Sequence, residues 1–378
     1  MDFDLAEEQS MLRTMARNFL GAKCPKKLVR EMIEDERGYP ADLWKEMAGL
    51  GWMGLAVPEE YGGAGSNLLD LAILIEEMGR ACLPGPFFSS VVLGGLSLLE
   101  VGSEELRRLF LPRLVQGELL LTLALTESSG VYAVDAMKTE AISDGKGGFT
   151  IRGTKLFVPD AHVADYVVCV ARTKDTAKPE DGITLFLVER KSPGVKCSVL
   201  KTIAGDKQCE VVFDNAEVPE SGILGEIDKG WYHAQQVVEK ATAIRCAEML
   251  GGARQVLEMT VSYAKDRAQF GHPIGSFQAI QHALADMFTD VEACSVTTYN
   301  AIWRLSAGLP ASQEVSMAKA LVSEAFKKAA TSAHQIHGAV GFTEDHDLPL
   351  YFKRAKAWEL SLGDAHFHFD KIAAQEGI

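Results

Sequence analysis

Over residues 5–116 apolar side chains recur at helical spacing. Met11, Met15 and Phe19 mark one stripe, and Leu43, Met47 and Leu50 another. Residues 69–78 are apolar nearly all round, which predicts a helix buried between others. Residues 58–66 run into that helix with three glycines, Gly62, Gly63 and Gly65. A glycine-rich loop before a helix suggests phosphate binding. This one lacks the G-x-G-x-x-G spacing, a preceding strand and a P-loop lysine, and it reads as a turn.

Near Leu119 the period changes. Residues 120–126 form a compact apolar run, residues 149–152 alternate, and residues 166–171, 183–188 and 211–213 are rich in β-branched and aromatic side chains. Gly147-Gly148, residues 179–182 and Ser192-Pro193-Gly194 punctuate them as turns. Helical spacing resumes at Gly230-Trp231. Residues 241–253, rich in Ala and Gly, would let helices approach closely. The pattern divides the chain into a helical domain (1–118), a β domain (119–229) and a second helical domain (230–378).

Composition narrows the classes. The 378 residues are 47% hydrophobic with a formal charge of −14, and no Lys/Arg run exceeds two in a row. A nucleic-acid groove or a polybasic membrane anchor is therefore not expected. No apolar run approaches a membrane span, and the acidic N-terminus resembles neither a signal nor a transit peptide. Seven dispersed cysteines without a C-x-x-C pair read as reduced thiols in a cytoplasmic protein. His366 and His368 sit two apart on a predicted helix, pointing different ways, so no metal site is expected.

The stretch with the most chemistry is residues 267–281. It breaks at Gly271-His272-Pro273 and restarts a helix, with Ser276 as its expected N-cap and Phe277, Ile280, Leu284, Met287, Phe288 and Val291 on one face. Arg267, Gln269, Phe270 and Gln278 around the break suit a planar, phosphate-bearing ligand, or else a plain surface helix–turn–helix.

Five stretches in order, spanning essentially the whole chain, resemble the acyl-CoA dehydrogenase family. They are residues 54–63 (Gly54 to Gly63), Leu125-Thr126-Glu127, Gly153-Thr154-Lys155-Leu156-Phe157 followed by Ala164-Asp165, residues 267–278, and Gln335-Ile336-His337-Gly338. The resemblance implies an α+β fold with an N-terminal helical domain, a middle β-sheet or barrel domain and a C-terminal four-helix bundle. It implies FAD held at Leu125, Thr126, Tyr132, Phe157 and Pro159 in the β domain, Phe157 standing where the family usually has Trp. It also implies FAD contacts from Arg267, Gln269, Phe270, Gln278, Gln335 and Gly338, with Arg267 and Phe270 reaching a neighbouring subunit's cofactor in a homotetramer. An acyl-CoA substrate and an electron-transfer flavoprotein as redox partner follow from the same resemblance. The family reaction takes an α-proton with a carboxylate base and moves the β-hydrogen as hydride to flavin N5.

The active-site positions depart from the family. Counted without gaps from Gln335, its Tyr-Glu-Gly-Thr motif falls on Ser361-Leu362-Gly363-Asp364. Leu362 keeps a backbone N–H for the thioester but cannot take a proton. The alternative base position falls on Ala241, and the arginine that often follows falls on Thr242. Pro159 replaces the hydroxyl residue that bonds flavin N5, and Val131-Tyr132-Ala133 replaces Gly-Ser-Asp. Asp364 is a candidate base or an N-cap. Glu359 is expected to face solvent. Asp160 and His162 are an acid/base pair or a surface loop. The resulting expectation is an acyl-CoA dehydrogenase with a non-standard or partner-supplied base. The alternatives are a catalytically reduced subunit of a heterotetramer with a paralogue, and an acyl-CoA lyase or desulfinase on the same fold.

Overall fold

The computed structural model describes residues 5–130 and 132–378. The first helices are α1 (Glu7–Lys23), α2 (Lys26–Glu34), α3 (Ala41–Gly49) and α4 (Leu68–Ala81). Asn67 caps α4 by accepting from the N–H groups of Leu69 and Asp70 at 2.8 and 3.1 Å. Residues 71–79 of α4 are all buried, the apolar ones by their pattern and Glu76 and Glu77 with arginine partners, Arg254 and Arg17. The stripe on α1 is displaced by one position. Ala16 and Leu20 are buried while Met11 and Met15 are exposed, so the face that packs carries a small residue and not the methionines.

The glycine-rich loop closes on itself. The N–H groups of Gly62, Gly63, Ala64, Gly65 and Ser66 donate to the carbonyls of Glu59, Pro58, Gly54, Val57 and Leu55. A loop whose amides are all used internally has none to offer a phosphate, and the turn reading holds.

A π-helix, Phe88–Gly95, leads into α5 (Leu96–Val101), followed by α6 (Glu104–Val115). The strands are β1 (Leu121–Ala124), β2 (Glu140–Ser143), β3 (Phe149–Pro159), β4 (Tyr166–Arg172), β5 (Ile183–Glu189), β6 (Val195–Leu200), β7 (Gln208–Val218) and β8 (Ile223–Leu224). Their order is β6-β7-β3-β2-β4-β5-β8, with β1 parallel beside β4. One face packs a core that includes Ile151, Val167, Cys169, Phe186, Val211 and Phe213. The antiparallel β3–β7 pair slips register between Lys155 and Val158, which turns the intervening residues out of the ladder.

The remaining helices are α7 (Gly230–Asp266), α8 (Gln278–Ser306), α9 (Ser312–His337), α10 (Leu348–Leu360) and α11 (Ala365–Glu376). Ser276 is not the N-cap of α8. Its hydroxyl donates to Pro273 O at 2.7 Å within the preceding turn, and Phe277 occupies the cap without a side-chain bond. Met287 and Val291 are buried as expected, but Phe277 and Phe288 are exposed.

By backbone proximity the chain forms two compact units. One comprises residues 1–30, 67–83 and 242–378, and the other residues 31–66 and 84–241. Among the described residues no helix is long and apolar enough to cross a membrane.

Candidate active site

In the unit that carries the sheet, the second and third sequence motifs meet through one ion pair. Lys155 is wholly buried on β3, and its Nζ donates to Glu127 Oε1 at 2.8 Å and to Leu125 O at 3.2 Å. The same carboxylate accepts from the backbone N–H groups of Lys138 and Thr139 at 2.8 and 3.0 Å. Burial works against the ionised Glu127 carboxyl, but Lys155 and the two amides overcome it and hold it below the usual carboxylate range. Gly153, two residues before Lys155, has φ +151°. A Cβ there would come within 2.8 Å of Thr139 atoms, so only glycine lets β3 pass this close. Arg172 fastens the next segment by donating to the carbonyls of Met137 and Val134 at 3.3 and 2.8 Å.

This frame aims the β3 bulge outward. Phe157 has φ +54° and is 55% exposed, a left-handed, unburied aromatic in a strand whose neighbour Val158 is buried. A bulky residue held there signals a constraint imposed from elsewhere. Thr122 Oγ1 donates to Pro159 O at 2.6 Å, and Leu156 N to Thr126 O at 2.9 Å. Leu125, Thr126, Phe157 and Pro159 are thus tied to one another by β1, β3 and the Lys155–Glu127 pair. Tyr132 lines a small cavity with Leu125, Glu127, Met137 and Trp231. Val131 of the same motif lies outside the described residues.

Asp160 and His162 do not pair. Asp160 accepts from Ser89 Oγ at 2.6 Å, while His162 Nε2 lies 3.1 Å from Arg37 O and its Nδ1 3.8 Å from Cys209 Sγ. Asp160, with φ +53°, turns its carboxylate to Ser89 of the π-helix.

Replacing Lys155 by Met leaves the Glu127 carboxylate buried without its counter-ion. The expected loss is about 3–5 kcal/mol of folding free energy, read from urea unfolding. Because Glu127's folded value lies below its ordinary one, its contribution is present at neutral pH and fades as pH falls through that folded value. The acid side of the stability profile should therefore flatten in the variant.

In the other unit, Arg267 follows α7, and a two-residue ladder (Ala268–Gln269 with His272–Pro273) turns the chain. Phe270 at its tip has φ +55° and is 91% exposed, edge-on to Phe277 at 6.3 Å. Arg267, Gln269 and Gln278 are exposed as well. At the end of α9, Gln335 is exposed and Gly338 closes the helix with φ +63°. These residues present a guanidinium, three side-chain amides and an apolar ring to solvent. That donor set suits a pyrophosphate carrying a flat heterocycle.

Leu362 and Asp364 lie in the turn between α10 and α11. Leu362 is buried with φ +61°. Asp364 Oδ1 accepts from Phe367 N at 2.9 Å and caps α11, the plainer of its two expected roles. Glu359 does not face solvent. It is buried and bound by Lys327 and Lys356 at 3.2 and 2.9 Å, because α9 supplies a cation where a lone helix would expose the acid. Sequence reading passed over Lys319. It stands in the apolar stripe Val315, Ala318, Val322, Phe326 of α9, and a lysine at a core position was the available signal.

Family models describing the N-terminal, middle and C-terminal domains of acyl-CoA dehydrogenases match residues 6–118, 122–216 and 228–376. An acyl-CoA dehydrogenase of Bacillus subtilis is 34% identical over 364 residues, covering 95% of both chains. An acryloyl-CoA reductase (NADH) of Anaerotignum propionicum is 32% identical over 380 residues, covering 99% of this chain and 96% of its own. Among solved structures, a chain of the ChsE4-ChsE5 complex from Mycobacterium tuberculosis superposes with a TM-score of 0.91 at 30% identity, over 100% of this chain and 99% of that one.

Proposed function

This chain belongs to the acyl-CoA dehydrogenase family, and from that premise we propose that it oxidises an acyl-CoA thioester at Cα–Cβ with FAD, using a base other than the family's usual glutamate. FAD, when bound, supplies the hydride acceptor. The observation that carries the reading is the pair of exposed, left-handed aromatics Phe157 and Phe270, both at positions where the resemblance puts the cofactor. Leu125, Thr126, Tyr132 and Pro159 would border the flavin beside Phe157. Arg267, Gln269, Gln278, Gln335 and Gly338 would hold a cofactor shared with a neighbouring subunit. The Leu362 N–H would donate to the thioester oxygen and stabilise the enolate.

The base is the open position. Asp364 is the carboxylate next to the vacated site in sequence, with Oδ1 committed to its cap. Asp364→Asn keeps a capping oxygen and removes the proton acceptor. If Asp364 is the base, the variant should keep wild-type stability and lose anaerobic bleaching of the bound flavin by a panel of acyl-CoAs. Unchanged bleaching dismisses it. Purified protein without flavin absorbance would overturn the reading as a whole, and product release without bleaching would point to lyase chemistry.

A heteromeric reading is favoured by the match to a two-component complex and by Leu362 itself: a base-deficient subunit working beside a base-bearing paralogue. A homomer active alone, after co-expression with neighbouring dehydrogenase genes, would remove it. Either assembly accounts for the exposed apolar residues Phe288, Val296, Trp303, Met317 and Leu321 on α8 and α9. An electron-transfer flavoprotein as acceptor and a cytoplasmic site complete the proposal. The seven free thiols support the latter.

A further inference from the structure

Lys319 has no exposed surface, yet all three of its donors are placed. Nζ reaches Ser323 Oγ at 3.2 Å, Glu359 O at 2.8 Å and Gly363 O at 2.7 Å. The last two carbonyls bracket the turn between α10 and α11, so one ammonium ties the end of one helix to the approach of the next. From the other side His368 Nε2 meets Leu362 O at 3.1 Å, while His368 Nδ1 is buried without a partner. Between these supports Leu362 and Gly363 both hold positive φ, +61° and +95°. A leucine does not rest there unaided.

We propose that Lys319 is a positioning residue for the acyl thioester: by gripping the carbonyls of Glu359 and Gly363 it fixes the direction of the Leu362 N–H. This rests on the reading that an acyl-CoA carbonyl binds at that turn. The grip depends on charge, because bonds from an ammonium are about twice as strong as those from a neutral amine.

Burial pushes the Lys319 ammonium down to about 8. Arg245 adds to that, and Cys246, Glu359 and Asp364 oppose it. The groups facing it are Arg245 and Cys246 of α7, Glu359 of α10, and Asp364 and His368 around the start of α11. An arginine stays charged. Burial pushes the Cys246 thiol up to about 12 and the His368 imidazole down to about 4. None of these three changes charge near pH 8.

Two readouts then move in opposite directions. The folded value of Lys319 lies below its ordinary one, so between about pH 8 and about pH 10.5 the unfolded chain holds a proton that the folded chain has released, and Lys319 adds to stability as pH rises. Thioester binding should weaken over the same range.

The test uses flavin-loaded protein and two probes of equal length: crotonyl-CoA, and S-(2-butenyl)-CoA, a thioether without the carbonyl. From about pH 7 to about pH 9.5 wild-type affinity for crotonyl-CoA is expected to fall roughly fivefold, the worth of one hydrogen bond, while the thioether is unaffected. Lys319→Met should weaken crotonyl-CoA by a similar factor at neutral pH, flatten its pH dependence and spare the thioether. A variant that keeps the wild-type profile, or a wild type whose two probes change together, overturns the proposal. If Lys319→Met fails to fold, the wild-type series with both probes still decides. Binding of neither probe at any pH would sink the acyl-CoA reading first; binding of both, equally and independently of pH, sinks only the role of Lys319.

Discussion

Leu362→Glu is expected to accelerate anaerobic flavin bleaching by butyryl-CoA roughly 10²- to 10⁴-fold over wild type, the range a positioned general base contributes. The turn is already shaped for it. Leu362 is 7% exposed, held in a left-handed conformation by Lys319 and His368 on either side, and Glu adds a carboxylate at nearly the same reach. The neighbouring Lys319 ammonium favours the ionised form. Rapid mixing without oxygen, at several butyryl-CoA concentrations, separates a faster chemical step from tighter binding. A wild type that already bleaches rapidly, within about tenfold of the variant, would show that another group removes the proton. Equally slow bleaching of the wild type and a folded, flavin-loaded variant would mean that this turn is not where the α-carbon sits.

Gly251→Ala is expected to cost about 4 kcal/mol or more, or to prevent soluble folding, although it adds one methyl group. Helices α4 and α7 cross at Gly79 and Gly251. A Cβ on Gly251 would lie 1.8 Å from Glu76 O, and one on Gly79 would lie 1.9 Å from Glu248 O. Both obstacles are backbone, so no side chain can swing aside, and the helices themselves must separate. Separation would also pull Glu76 from Arg254 at 2.8 Å and from the hydroxyl of Tyr299. A urea midpoint within experimental scatter of wild type would refute the close crossing.

That crossing was partly legible, since the small residues of 241–253 announced a close approach without naming its partner. Strands β1, β3, β4, β5 and β7 were legible because at least part of each strand is strongly apolar or alternates. Strands β2 and β6 were not: β2 buries only Ala141 and β6 buries none of its residues, so only hydrogen bonding to β3 and β7 makes them strands. Ser276 carried a cap's chemistry but lies one residue before the cap, in the preceding turn, and Met11 and Met15 carried a core's chemistry on the wrong side of α1. At the candidate site the motifs were readable one by one. Their joining was not, because Glu127 and Lys155 stand 28 residues apart and no local period relates them. Lys319 and Gly363 are 44 apart, and the same holds.

Glu76 has a further consequence, for how the chain is made. Its carboxylate gathers Arg13, Arg254 and Tyr299, partners 63, 178 and 223 residues away, within a unit assembled from three separate stretches of chain. At ribosomal speeds of about 5–20 residues per second, roughly ten to forty-five seconds pass between the synthesis of Glu76 and that of Tyr299. For that interval α1 and α4 hold acids and arginines that have no completed home, while residues 84–241 emerge and can fold. Helices α1 and α4 are thus made well before they can be finished, and the nascent chain must keep them soluble until α7 and α8 arrive.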